Sequence, residues 1–257
     1  MAVLISMQKV FLNGDFIDKD SAKISIFDRG FIFGDGIYEV VPVINGVMVE
    51  KQGFWDRFKR SLNEIDLSLP YSKDEFENIL NELIKINSLN EGGIYIQITR
   101  GIAQRDFSFV SGITPTVMAF AFSDSVLEHP GAKSGITIIS TPDIRWKRRD
   151  IKSISLLGQC YAKNQATIAG ADECFMIEDG YVTEAGSSSA FIIKDGTLIT
   201  KPLSNEILPG IRRQRLLNLA KEIGLKIQER KFSMDEVYNA DECFISAATI
   251  ILLPVIK

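Results

Sequence analysis

The stretch VVPVINGVMVEKQGFWDRFKRSLNEIDL, residues 40–67, carries two structural periods in succession. Between Val40 and Val49 apolar residues flank the pair Asn45-Gly46, which tolerates the positive φ of a tight hairpin turn. From Phe54 to Leu67 the spacing changes, and Phe54, Trp55, Phe58, Leu62 and Ile65 recur at helical intervals. A hairpin that hands over to a helix points to a sheet with helices on its flank. Working outward, KVFLNGDFI from Lys9 reads as a second hairpin about Asn13-Gly14, in a strand that opens at Met7 and leaves Met1 to Ser6 as an expected leader. A further helix is expected at Phe76, Ile79, Leu80, Leu83 and Ile84, capped by Ser72. GIYIQITRG and TVMAFAF supply two more strands.

The segment SDSVLEHPGAKSG loses periodicity around Pro130-Gly131. The expected organisation is therefore an N-terminal domain over 1–123, a linker over 124–134 and a C-terminal domain over 135–257. The second half begins with strand ITIIS, has a helix near Leu156 to Ala169, and continues with two hairpins turning at Asp179-Gly180 and Asp195-Gly196. A helix from Ile211 to Ile223 ends at Gly224, and strands in LKIQERKF and DECFISAA close the chain. Strands in runs followed by helices, without strict alternation, predict an α+β protein of two domains, sheets with flanking helices.

Composition narrows the functional classes. The 257 residues carry 29 Lys+Arg against 33 Asp+Glu, a net charge of −4, with 46% hydrophobic content. Such a chain buries a core, and its balanced surface offers no field for nucleic acid or an anionic membrane. The N-terminus lacks a basic leader pattern and IILLPVI is too short to cross a bilayer, so a cytoplasmic protein is expected. Cys160, Cys174 and Cys243 form no CxxC pair and are expected in the core, with neither a disulfide nor a metal. A single histidine, His129, excludes Ser-His-Asp and Cys-His triads and leaves a lysine, carboxylates or a cofactor to do chemistry. FGDGIYE lacks the GxGxxG fingerprint and GSSS lacks the lysine of a P-loop, so both read as tight turns. In DIRWKRRDIKSISLLG, Lys152 stands where a charged run meets an apolar one, a place where loss of water favours the neutral amine. Taken alone, that segment fits a solvated lysine in a basic loop better.

FDRGFIFGDGIYEV, WDRF, TRG with Arg105 five residues beyond Arg100, RW-x-R-x-DIKS, YVTEAGSSSAF and LPGIRR together resemble the fold-type IV pyridoxal-phosphate aminotransferases, in that family's order. Within it the pattern is most similar to the bacterial D-amino-acid aminotransferases. The resemblance implies pyridoxal 5′-phosphate as cofactor, amino acids and 2-oxo acids as substrates, and a homodimer with its active site at the domain interface. Lys152 matches the Schiff-base lysine, which also moves the reacting protons. Glu184 matches the partner of the ring nitrogen, and Arg57 the phosphate arginine. Leu208 is implied against the ring, Ile211 and Arg212 near the phosphate at a helix N-terminus, and Ser187 and Ser188 as hydroxyls beside the cofactor. Tyr38, Arg105 and Phe107 correspond to the trap for the substrate carboxylate, with Arg105 implied to act in the partner subunit.

The chain departs from the family at three of these positions. Arg212 stands where the family carries Thr, Ala248 lies where a second hydroxyl is expected, and Phe107 replaces a histidine. Another arginine, Arg29 or Arg145, is expected to compensate in the trap. Aminodeoxychorismate lyase, branched-chain aminotransferase and R-selective amine transaminase share the fold and stay open as alternatives. Leu157, where branched-chain enzymes carry Tyr, argues against the second of them. A degenerate homologue that binds the cofactor without turnover is disfavoured, since Lys152 and Glu184 are both present. Related chains continue past the strand at CFISAA, so Ile250 to Leu253 are expected to lie bare.

Overall fold

The computed structural model describes residues 9–257; Met1 to Ser6, expected as a leader, and Met7 and Gln8 lie outside the described residues. The chain divides into two compact units. The first ends at Val126 and also takes in Lys152–Ser155, and the second comprises Leu127–Ile151 and Leu156–Lys257.

In the first unit the elements are β1 (Lys9–Leu12), β2 (Asp15–Asp18), α1 (Arg29–Phe33), β3 (Gly36–Ile44), β4 (Val47–Met48), α2 (Lys51–Asn63), α3 (Lys73–Ile86), β5 (Gly92–Thr99) and β6 (Thr116–Ser123). The strands form one antiparallel sheet in the order β2-β1-β6-β5-β3-β4. Both Asn-Gly turns adopt the positive φ read from the sequence, 50° and 110° at Asn13-Gly14 and 52° and 72° at Asn45-Gly46. Ser72 caps α3 in a reciprocal box with Glu75, as its position before the apolar run predicts. The helices cover one face of the sheet, α2 against β3 and α3 against β1 and β6. The period of two then decides which side chains are buried. Ile37, Glu39, Val41 and Val43 of β3 and Ile94, Ile96 and Ile98 of β5 are buried. Tyr38, Val40, Tyr95 and Gln97 alternate with them and stay half-buried on the other face.

The second unit contains α4 (Gly131–Ser134), β7 (Ile138–Pro142), α5 (Leu157–Ile168), β8 (Glu173–Glu178), β9 (Tyr181–Ala185), β10 (Ser189–Lys194), β11 (Thr197–Thr200), α6 (Ile211–Glu222), β12 (Lys226–Glu229), α7 (Met234–Tyr238), β13 (Glu242–Ala247) and β14 (Ile250–Pro254). These strands build a three-stranded sheet, β7-β8-β9, and a five-stranded one, β12-β11-β10-β13-β14. The sheets meet through Phe175, Val182, Ala190, Ile192, Ile199, Ile245 and Leu253. Ala162 and Ala166 of α5 cover Cys174 and Met176, and Leu217 and Ala220 of α6 cover Phe191, Leu198 and Phe244. Strands buried on both faces explain why CFMI and AFII read as unbroken apolar runs.

Two expectations change. Cys174 is buried and Cys243 half-buried, but Cys160 is exposed, because α5 turns its two buried alanines inward and Cys160 lies away from them. Ile250 to Leu253 are bare only in part, Ile251 and Leu252 each being 37% exposed. They form β14, hydrogen-bonded along β13, with Leu253 3% exposed. The chain then pairs with Ile136, whose N–H donates to Pro254 O at 2.8 Å and whose carbonyl accepts from the Ile256 N–H at 2.9 Å.

Phe175 is fully buried between the two sheets. Phe175→Ala is expected to cost about 3–5 kcal/mol, measured as a loss of unfolding free energy in denaturant at unchanged far-ultraviolet spectrum.

Candidate active site

Lys152 belongs to the first unit although the chain on either side of Lys152–Ser155 belongs to the second. Backbone pairing with the start of β3 holds this segment. The Tyr38 N–H donates to Lys152 O at 2.9 Å, the Ile154 N–H donates to Gly36 O at 3.1 Å, and Ser153 bridges Ile37. Such close approach explains the glycines of FGDG. A Cβ on Gly36 would stand 2.4 Å from Ile98 O, and Gly34 closes α1 at φ 67°. The motif joins the end of α1 to the start of β3 in close packing, and is not the tight turn between strands expected from the sequence.

The Lys152 amine is thereby set over the Tyr38 ring, 4.1 Å from its centroid, and no ion pair to a carboxylate holds it among the described residues. Tyr38 stacks on Tyr95 at 5.5 Å and Tyr95 on Phe120 at 4.9 Å, forming an aromatic floor across β3, β5 and β6. Burial, with Tyr38 nearby, pushes the Tyr95 phenol up to about 12, so it stays a neutral donor, here to Gln97 Oε1 at 2.9 Å. Arg57 and Ser61 lie one turn apart on α2. Ser61 Oγ accepts the Lys152 N–H at 3.3 Å. Arg57 grips Glu39 through two parallel bonds of 2.7 Å, with the carboxylate wholly buried.

Arg105 and Phe107 are exposed, the guanidinium 5.1 Å from the Phe107 ring centroid. Arg29, expected as a replacement in the trap, is instead engaged by Asp35 at 2.7 Å and Asp106 O at 2.6 Å. Arg100 shares the same Asp35 oxygen at 2.9 Å. Arg145, the other expected replacement, is likewise engaged, by carboxylates of the second unit.

In the second unit Glu184, at the end of β9, is buried. Its Oε2 accepts from Arg145 Nη1 at 2.6 Å and its Oε1 from the Leu208 N–H at 3.1 Å. Burial pushes this carboxyl up, and the Arg145 charge and both donors pull against it. Ser187 is exposed, whereas Ser188 Oγ is buried with no hydrogen-bond partner. Gly210 starts α6 without a side-chain cap, so Ile211 and Arg212 open the helix with backbone donors facing outward along its axis. Arg212 Nη2 donates to Ala248 O at 3.3 Å, bringing together two positions where the chain departs from its family pattern. Ser246, beside them, spends its hydroxyl on the Ile250 and Ile251 carbonyls.

Each unit offers groups of the kind pyridoxal phosphate requires: the first an amine without a carboxylate partner among the described residues, the second a buried carboxylate, a buried hydroxyl with no partner among the described residues, and a helix start with no side-chain cap for an anion. Sequence reasoning missed Glu39, Asp143, Ser61 and Tyr95. Glu39 had a usable signal, since an acid in the buried register of Ile37, Val41 and Val43 demands a cation.

The model of the amino-transferase class IV family matches residues 36–257. The D-alanine aminotransferase of Staphylococcus haemolyticus is 40% identical over 252 residues, 98% of this chain and 89% of the relative. That of Bacillus licheniformis is 38% identical over 96% of this chain and 87% of its own. Among solved structures, the branched-chain amino acid aminotransferase of Escherichia coli superimposes with a TM-score of 0.89 over 96% of this chain and 85% of that one. At 23% identity that likeness concerns the fold alone. The chain belongs to the class IV aminotransferases. It is an aminotransferase that uses pyridoxal 5′-phosphate.

Glu39→Ala, which strands the Arg57 charge in the interior, is expected to lower unfolding free energy by about 3–5 kcal/mol. Acid sensitivity has a source in Glu178, held down to about 2 from 4.5 by hydrogen bonds from Arg149 and Lys147. A lowered carboxyl stabilises the fold above its unfolded value of 4.5, and that contribution is lost as pH falls through about 2. Glu178→Gln should therefore be less stable than wild type at pH 7, and the difference should shrink below pH 4.5, read from denaturation midpoints across pH.

Proposed function

We propose that the protein transfers the amino group between a D-amino acid, D-alanine foremost, and a 2-oxo acid such as 2-oxoglutarate, as a cytoplasmic homodimer. The observation that carries this reading is the Lys152 amine, fixed over Tyr38 by the backbone pairing of β3. The two D-alanine aminotransferase relatives support the choice of substrate. Pyridoxal phosphate, when bound, supplies an aldehyde and an electron-withdrawing ring that makes the Cα–H of an attached amino acid acidic. Lys152 Nζ would hold the cofactor and would take up and release the reacting proton. Glu184 accepts a hydrogen bond from the ring nitrogen and holds its proton in place. Arg57, the first-turn N–H groups at Ile211 and Arg212, and the carbonyl-anchored Arg212 side chain beside Ala248 bind the phosphate. Leu208 would lie against the ring, and Ser187 and Ser188 would offer hydroxyls to it.

Tyr38, Arg105 and Phe107 take the substrate carboxylate. The exposure of Arg105 supports its acting in the partner subunit, and apolar Phe31, Ile102, Phe107 and Phe109, between 56% and 76% exposed, supply surface for pairing of two copies. Near-neutral charge, with 29 basic and 33 acidic residues, supports small-molecule partners over nucleic acid. Among the described residues no helix is long and apolar enough to cross a membrane.

The test is the absorption spectrum of purified protein as D-alanine, and separately L-leucine, is added without an oxo acid. D-Alanine alone should discharge the visible band of the bound cofactor. Discharge by L-leucine alone overturns the D-specific reading. Lys152→Ala should lose the band and at least about 10³-fold in turnover, in line with removal of a general acid–base group that also carries the cofactor.

A further inference from the structure

Arg145 lies between two carboxylates, and the division of its donors is unequal. Nε and Nη2 go to Asp143, at 3.0 and 2.7 Å, one to each oxygen, while Nη1 alone goes to Glu184, at 2.6 Å. The Asp143 side chain is fully buried, Arg145 is 6% exposed and Glu184 8%. Asp143 is itself anchored by the Thr183 hydroxyl at 2.6 Å and faced by Arg149 Nη1 at 3.3 Å. Thr183 immediately precedes Glu184 on β9, so adjacent residues of one strand are tied to the same Asp143–Arg145 pair.

The charges decide what this arrangement does. A carboxylate buried without any cation takes up a proton and ceases to attract a positive group. A carboxylate paired one-to-one with an arginine is neutralised and attracts one only weakly. Here Asp143 draws on both Arg145 and Arg149, so Arg145 gives Glu184 a single donor and leaves lone pairs of that carboxylate for a further cationic group. Burial would lower the Arg145 cation, yet Glu184 and Asp143 raise it well above its usual range. Asp143 is held low by hydrogen bonds from Arg145 and Thr183 against the effect of burial.

We propose that Arg145, braced by Asp143, is the positioning residue that aims Glu184 at the protonated ring nitrogen of the cofactor. The inference rests on the role given to Glu184 in the proposed function. Arg145 thereby serves the ring nitrogen rather than the substrate carboxylate.

The test compares binding of pyridoxal phosphate and of its 1-deaza analogue, in which carbon replaces the ring nitrogen, to apoprotein, followed by quenching of tryptophan fluorescence. Wild type should prefer pyridoxal phosphate by about 10- to 100-fold, the range of a charge-assisted hydrogen bond. Arg145→Gln should shrink that preference to within about threefold of unity, and Arg145→Lys, which keeps the charge, should restore most of it. An undiminished preference in Arg145→Gln overturns the inference, as does equal collapse in the Gln and Lys variants, which would mark a packing effect. Should Arg145→Gln fail to fold, Asp143→Asn decides: a reduced preference supports the assignment and an unchanged one overturns it. Wild type that binds neither compound overturns the proposed function along with the inference. Tight binding of both compounds alike by wild type overturns the inference alone.

Discussion

The pairing of Lys152–Ser155 with the first residues of β3 is the constraint on which the rest of the site depends. Its hydrogen bonds run between main-chain groups, Tyr38 N–H to Lys152 O and Ile154 N–H to Gly36 O. Side chains therefore remain free for chemistry. Main-chain bonds also fix direction: with the carbonyl of Lys152 spent on Tyr38, its amine reaches the ring of that same tyrosine. Gly34 and Gly36 exist to let this happen, since a Cβ at Gly36 would collide with β5 and Gly34 needs a left-handed turn.

In each unit the protein places charges where burial would ordinarily forbid them. Arg57 is held by Glu39 beneath the sheet, Arg29 and Arg100 share Asp35, and Arg145 is clasped by Asp143. Each cation has a carboxylate within 3 Å, which offsets desolvation and fixes orientation at once. Lys152 differs in being a half-buried amine that, among the described residues, no carboxylate neutralises.

The fold was legible because its periods are strong. Four two-residue turns, two Asn-Gly and two Asp-Gly, lie where the sequence places them, all at positive φ. The helix after Ser72 carries its predicted cap. Elements that depend on distant partners were harder to read. β14 is a strand only because β13 and Ile136 offer it donors and acceptors, and nothing local in IILLP requires that. α1 is five residues long, too short for its apolar spacing to stand out. The candidate site divides in the same way. Lys152, Glu184 and Arg57 stand in motifs that can be read by resemblance. Glu39 and Asp143 act through pairing with residues 18 and 2 positions away, and only coordinates show which arginine answers which acid. The same limit explains why Arg29 and Arg145 looked available for the substrate trap: sequence displays their charge but not the carboxylates that occupy them.

The central claim is that Lys152 is the residue to which the cofactor is joined, and chemical trapping tests it most directly. Holoprotein reduced with borohydride and digested should yield one peptide bearing the reduced cofactor, mapping to the segment that contains Lys152 and no other lysine in modified form. Stoichiometric label on a different lysine, such as Lys147 or Lys201, or a reduced protein with bound cofactor and no covalent label, would contradict the account.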